Sequence, residues 1–189
     1  MSIKNFDVGL MACEDVQAWI KSAKFGALDD TTFVAADVDD GAFVVLGDNC
    51  ADDTYTGLID YNCYQAFAPT GITTLTLDDI YVIDIAGVSE GTIDGNVYKI
   101  GNKLVNLKGK AGYAQRARAL KKGDMFWIAG GNFAAAVSTN KYATLTEGAT
   151  TLTPAAAPAE AGVNFAIVTS KPLTTGTKVA DTQYLVKAL

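Results

Sequence analysis

The side chains able to carry chemistry are unevenly supplied in this chain. Of 189 residues none is histidine, three are cysteine (Cys13, Cys50, Cys63) and twenty-one are Asp or Glu. Without histidine the commonest general base and metal ligand is missing, and Ser-His and Cys-His nucleophile systems are excluded in their usual form. The cysteines are odd in number and match no zinc spacing, so they are expected to be reduced structural thiols, with no metal and no cofactor. A Cys50–Cys63 bridge is possible but unsupported by the sequence. No GxxxxGK[ST], GxGxxG or HExxH pattern occurs.

Carboxylates remain as the chemical resource. The pairs Asp29–Asp30, Asp39–Asp40, Asp52–Asp53 and Asp78–Asp79 fall at expected turns, where Asp bonds its own backbone. Two carboxylates could serve a glycan hydrolase. Neighbours on a strand point to opposite faces, however, so adjacency does not make a catalytic pair. "DVDDGAF" begins like a calcium loop with Asp37, Asp39 and Asp40. The twelfth position of such a loop needs a bidentate Glu and here is Asp48, and no helices flank it, so no calcium site is expected.

Charge is divided along the chain. Residues 1–100 hold seventeen acids and four lysines, giving −13, and residues 101–189 hold four acids and eleven bases, giving +7; together they make the net −6. From Lys99 to Lys122 there are eight Lys or Arg and no acid. This basic segment reads either as a solvated loop or as a contact to an acidic protein surface, which the acidic half could itself supply within one subunit or between subunits. A nucleic-acid partner is not expected, because the pI is about 4.5 and no recognition motif is present.

These residues must be positioned by short strands. "TTFVAADVDDGAFVVLGD" reads as strand, acidic turn, strand and Gly-Asp turn. In "LDDIYVIDIAGV", Ile80, Val82 and Asp84 share one face and Tyr81, Ile83 and Ile85 the other, and such continuous apolarity predicts burial on both sides. Val97 to Gly112 reads as a long loop with strand pieces at most. In "YAQRARALKKGDMFWIAGG", Arg116 and Arg118 share one face and Ala117 and Ala119 the other; "KKGD" is a turn and "MFWIAG" a strongly apolar strand. "KYATLTEG", "TTLTPAAAPAEAG", "VNFAIVTS" and "TQYLVKAL" complete the strands, with "KPLTTGTK" as a turn. Residues 1–30 read as an appendage, a short helix or an extended arm. Val16, Trp19, Ile20 and Ala23 lie near helical spacing there, and Gly26 would end the helix. The N-terminus offers no signal-peptide core, since Asp7 interrupts its one apolar run. The longest apolar-looking run, Met125 to Asn140, is broken by "GGN", whereas a membrane helix needs about 20 apolar residues. The expected fold is all-β: a small barrel- or sandwich-like core over residues 31–189, with long loops, a basic loop and strand at 97–122, and an N-terminal arm or short helix over 1–30.

"DDGAFVVLGD", the Tyr-rich stretch ending "YQAFAPTG", "DIYVIDIAGV" and the Gly/Asn/Lys segment that follows resemble a family of small virion proteins of tailed bacteriophages, encoded near the major capsid protein. "ARALKKGDMFWIAGGNF", "NKYATLTEGATTLTPAAAP" and "NFAIVTSKPL…TQYLVKAL" extend the resemblance over roughly residues 30–189. It implies a head decoration, or cement, protein. Such a protein is made in the host bacterial cytoplasm and binds the capsid exterior, with the major capsid protein and copies of itself as partners and neither nucleic acid nor membrane among them. The resemblance carries no catalytic residues. A tail or fibre domain, and a carboxylate-based glycan hydrolase, are the alternatives. The residues expected at an interface are Trp19, Ile20, Lys103, Lys108, Lys110, Tyr113, Arg116, Arg118, Lys121 and Lys122. Reversing Arg116 and Arg118 to Glu is expected to weaken docking and leave the fold intact.

Overall fold

The computed structural model describes residues 6–7, 20–51, 59–85, 90–93, 96–99, 108–175 and 178–189. For 6–7, 90–93, 96–99, 174–175 and 178–180 the backbone alone is described. The all-β expectation holds. The strands are β1 (Phe6–Asp7), β2 (Ile20–Asp29), β3 (Thr32–Ala35), β4 (Val38–Asp39), β5 (Phe43–Ala51), β6 (Ile59–Phe67), β7 (Ile80–Asp84) and β8 (Glu90–Ile93). They continue with β9 (Asn96–Lys99), β10 (Lys108–Gly109), β11 (Gln115–Ala119), β12 (Met125–Ala129), β13 (Tyr142–Leu145), β14 (Leu152–Ala155), β15 (Asn164–Thr175) and β16 (Lys178–Ala188). The helical elements among the described residues are two single 3-10 turns, Leu77–Asp79 and Gly130–Asn132.

Two six-stranded sheets pack on each other. One runs β1-β12-β16-β15-β13-β14 and is antiparallel throughout. The other runs β11-β7-β5-β6-β2-β3, and β11 also pairs with β2, so β11, β7, β5, β6 and β2 close into a five-stranded barrel. β2 runs parallel to β6 within it, and β3 is added outside as a hairpin partner of β2.

Side-chain alternation along the barrel strands produces two cores. Ala23, Val44, Ala66, Ile83 and Ala117 form the interior cluster, with Phe25, Leu46, Tyr81 and Ile85 packed against it. A barrel of so few strands encloses little volume, which accounts for alanine at positions 23, 66 and 117. Phe43, Ile80 and Val82 point the other way, into the space between barrel and sheet, and meet Phe126, Ile128, Phe165 and Val186. The rings of Phe43, Phe126 and Phe165 stand 5.4–6.3 Å apart in tilted or edge-on contacts that tie the two layers together. β7 is thus covered on both faces, as its continuous apolarity predicted. On the sheet's far side, Lys171 Nζ lies 4.1 Å from the centroid of the Trp127 ring.

The expected division at residue 30 is corrected in its last third. Residues 20–29 are neither a helix nor an arm but a ten-residue strand at the closing seam of the barrel, with Ala23 fully buried. Gly26 does not stop an element there. It sits within the strand because a Cβ would approach the Val34 carbonyl oxygen and the Phe33 ring of β3 too closely. Residues 8–19 lie outside the described residues, and with them most of the expected N-terminal helix. The Gly-Asp turn expected at 47–48 is also corrected: Gly47 and Asp48 continue β5 through a bulge, and Gly47 leaves room for the Phe67 ring, which a Cβ would meet at 2.7 Å. The "KPLTTGTK" turn begins later than expected, since β15 runs through Pro172 to Thr175.

Turn chemistry fixes the connections. "KKGD" turns the chain from β11 in the barrel to β12 in the sheet. Gly123 takes φ +97°, and the buried Asp124 accepts the Lys121 N–H through Oδ2 at 2.8 Å. Glu147 accepts the N–H groups of Gly71 and Ile72 at 2.8 and 3.1 Å, and these bonds hold its carboxyl below the ordinary carboxylate range.

Candidate protein-binding interface

The alternation in "QRARA" places Ala117 and Ala119 inside the barrel and Arg116 and Arg118 outside it. β7 lies alongside, with Arg116 opposite Asp84 and Arg118 opposite Val82. Asp84 follows Ile80 and Val82 on the outward face but lies beyond the packed sheet, so its buried carboxylate needs a cationic partner. It receives two. Arg118 Nε donates to Oδ2 at 2.6 Å, Arg116 Nη2 reaches the same oxygen at 3.1 Å, and Arg116 Nε also donates to the Asp84 carbonyl at 3.4 Å. The side chain of Arg118 is 15% exposed and that of Arg116 is 43% exposed. The expected independence of these arginines from the fold is therefore corrected: Arg118 is a structural counter-ion, and only Arg116 offers much of its guanidinium to a partner.

The same outer face continues across the seam. β11 sets Arg116 opposite Ser22 and Arg118 opposite Ile20. β2 in turn sets Ser22 beside Cys63 in parallel register, and Ile20 and Tyr61 lie two residues before these on the same neighbouring strands. Ile20 is 50% exposed and Tyr61 is 77% exposed, with exposed Ile59 two residues before Tyr61 on β6. Tyr61 is displayed by an irregularity: Asn49 pairs with Tyr64 but Cys50 pairs with Asp60, so Tyr61, Asn62 and Cys63 bulge from β6. Side-chain amides close the bulge, Asn49 Nδ2 donating to the Cys63 carbonyl at 3.3 Å and Gln65 Nε2 to the Asn49 carbonyl at 3.4 Å.

The other expected interface residues lie at the two ends of β11. Before it, Lys110, Gly112 and Tyr113 form a turn, the Tyr113 N–H donating to the Lys110 carbonyl at 3.1 Å, with Lys110 and Tyr113 exposed. Lys108 stands 3.7 Å from Asp39 in the β10–β4 pairing, and the Ala111 N–H donates to Asp37 Oδ1 at 2.9 Å. After β11, Lys121 Nζ meets Asp78 at 2.6 Å, and Lys122 is exposed on the turn. Trp19 and Lys103 lie outside the described residues. Of the expected set, Ile20, Arg116 and Arg118 come together, while the lysines form two separate groups.

The carboxylates of the calcium-like stretch are engaged by the fold. Asp37 holds the Ala111 N–H, Asp39 faces Lys108, and Asp40 Oδ1 accepts the Ile85 N–H at 2.9 Å. Among the described residues, no three or more His, Cys, Asp or Glu side chains gather as a metal site. No helix among them is long and apolar enough to cross a membrane.

Sequence reasoning missed Tyr61 and Ile59. Their alternation in "IDYNCY" was available, but the display of Tyr61 depends on the bulge, which only the register of β5 against β6 reveals. Comparisons with protein-family models, curated proteins and solved structures found no match.

Proposed function

We propose that this protein is a structural virion component that docks on the exterior of a tailed-phage capsid and stabilises the shell. The observation that carries the reading is the exposure of Ile20, Ile59, Tyr61 and Arg116 on β2, β6 and β11, neighbouring strands of the closed barrel. Tyrosine and arginine are enriched at the centres of protein interfaces, where an aliphatic surround excludes water. The sequence resemblance over residues 30–189 supplies the partner class: the major capsid protein, with further copies of this chain as neighbours. A decoration protein needs an autonomous core and a docking face rather than a catalytic centre, and two packed cores behind one seam meet that need. Arg116 would contribute specificity and encounter rate at the rim of the contact, with Tyr61 at its centre controlling dissociation.

Co-sedimentation with shells assembled from the accompanying major capsid protein tests this. Wild-type protein is expected to pellet saturably with the shells. Tyr61→Ala is expected to weaken binding by about 2 kcal/mol, roughly thirtyfold, with an unchanged melting temperature. Ile20→Asp should act in the same direction. Wild-type protein that stays in the supernatant at micromolar shell concentration, on intact shells, overturns the reading.

A further inference from the structure

Cys50 and Cys63 form a buried pair that neither the barrel core nor the docking face requires. They lie on the antiparallel neighbours β5 and β6 and are both free thiols, 3% and 2% exposed. Asn49 is registered with Tyr64 and its Nδ2 donates to the Cys63 carbonyl at 3.3 Å, while Cys50 pairs with Asp60, so Cys50 and Cys63 adjoin the registered pair on the two sides of the bulge. The two thiols are close enough to hydrogen-bond to each other. A staple here would close the bulge of Tyr61–Cys63, where the ladder between β5 and β6 is interrupted.

We infer that Cys50 and Cys63 are a disulfide-forming site, cross-linked within one chain by a peroxide-class oxidant. One thiolate attacks a peroxide oxygen, breaking the O–O bond and giving a sulfenic acid and water. The second thiol sulfur then displaces the hydroxyl as a second water, so two S–H bonds are lost and one S–S bond forms. Peroxide takes up the two electrons, and its two oxygens leave as water. Small size matters for the oxidant, because both sulfurs are shielded from bulky disulfides. The folded environment also disfavours the thiolate of Cys63. Burial, then the hydrogen bond and charge of Cys50, push the Cys63 thiol up to about 12, with the nearby Lys24 ammonium pulling the other way and Asp60 adding to the rise. Attack that begins at Cys63 is therefore slow at neutral pH and faster in mild alkali. The cross-link fixes the segment that displays Tyr61, and the site is independent of any capsid role.

The test treats native wild-type protein, and a Cys13→Ser variant, with hydrogen peroxide at mildly alkaline pH. Peptide mapping under non-reducing conditions then follows. The expected product is a monomer lighter by two hydrogens, with one linked pair of peptides carrying Cys50 and Cys63, reversed by dithiothreitol. Closing a loop of this length is expected to raise the melting temperature by about 6–12 °C. Peptide mapping of the wild-type protein identifies the partner even if the Cys13 variant folds poorly. Recovery of both thiols unreacted, oxygen addition at either sulfur without a linked peptide, or a bridge that pairs Cys13 instead overturns the inference.

Discussion

Asp84 decides what the arginines of β11 can do. It is a carboxylate on a strand otherwise made of Ile, Tyr and Val, and its burial is tolerable because two guanidinium groups converge on one of its oxygens. Removing Arg118 leaves a largely buried charge with one partial partner, so Arg118→Ala is expected to lower the free energy of unfolding by about 3 kcal/mol. Arg116 is close to half exposed, and Arg116→Ala should cost under about 1 kcal/mol. Urea denaturation of the two variants measures the difference directly. Equal losses, or a larger loss at Arg116, would show that Asp84 does not depend chiefly on Arg118. Only half of this arrangement was legible in the sequence. The alternation of Arg and Ala announced an outward pair, and Asp84 stood out as the polar residue on an apolar face. That they meet depends on the pairing of β11 with β7, thirty-odd residues apart, and no local pattern encodes it.

At the level of elements, β7 and β12 were readable because both are packed on two sides, which demands near-continuous apolar sequence. β2 was not. Its outward face is open at Ile20 and Ser22, it carries Lys21 and Lys24, and its few apolar residues also fit a helical spacing over so short a run. What makes it a strand is the vacancy between β11 and β6, a tertiary cause that overrides local propensity. Gly26 marks the point where β3 crosses closest, and Gly26→Ala provides the check. With a Cβ driven against the Val34 carbonyl and the Phe33 ring, the variant is expected to lose about 1–3 kcal/mol and to expose β3 to amide exchange before the rest of the barrel. A variant as stable as the parent, with β3 still protected, would mean that the close approach is relieved at little cost.

At the scale of the whole molecule the division of charge along the chain is resolved in part by folding. Lys108 meets Asp39, Arg116 and Arg118 meet Asp84, and Lys121 meets Asp78, each joining the basic second half to the acidic first half. The Lys108 and Lys121 pairs are largely exposed on the lysine side and contribute little to stability. The proposed docking surface is then defined less by charge than the sequence suggested. It consists of an aliphatic and aromatic patch with one available guanidinium, and its location follows from barrel closure and the β6 bulge. The central claim is that this patch faces a capsid. Cryo-electron microscopy of shells saturated with the protein tests it most directly. The account predicts barrel density with the β2–β6–β11 face against the shell and Tyr61 and Ile20 in contact with the major capsid protein. Bound protein with that face turned to solvent, and its contacts made by the opposite sheet of β12–β16, would contradict it.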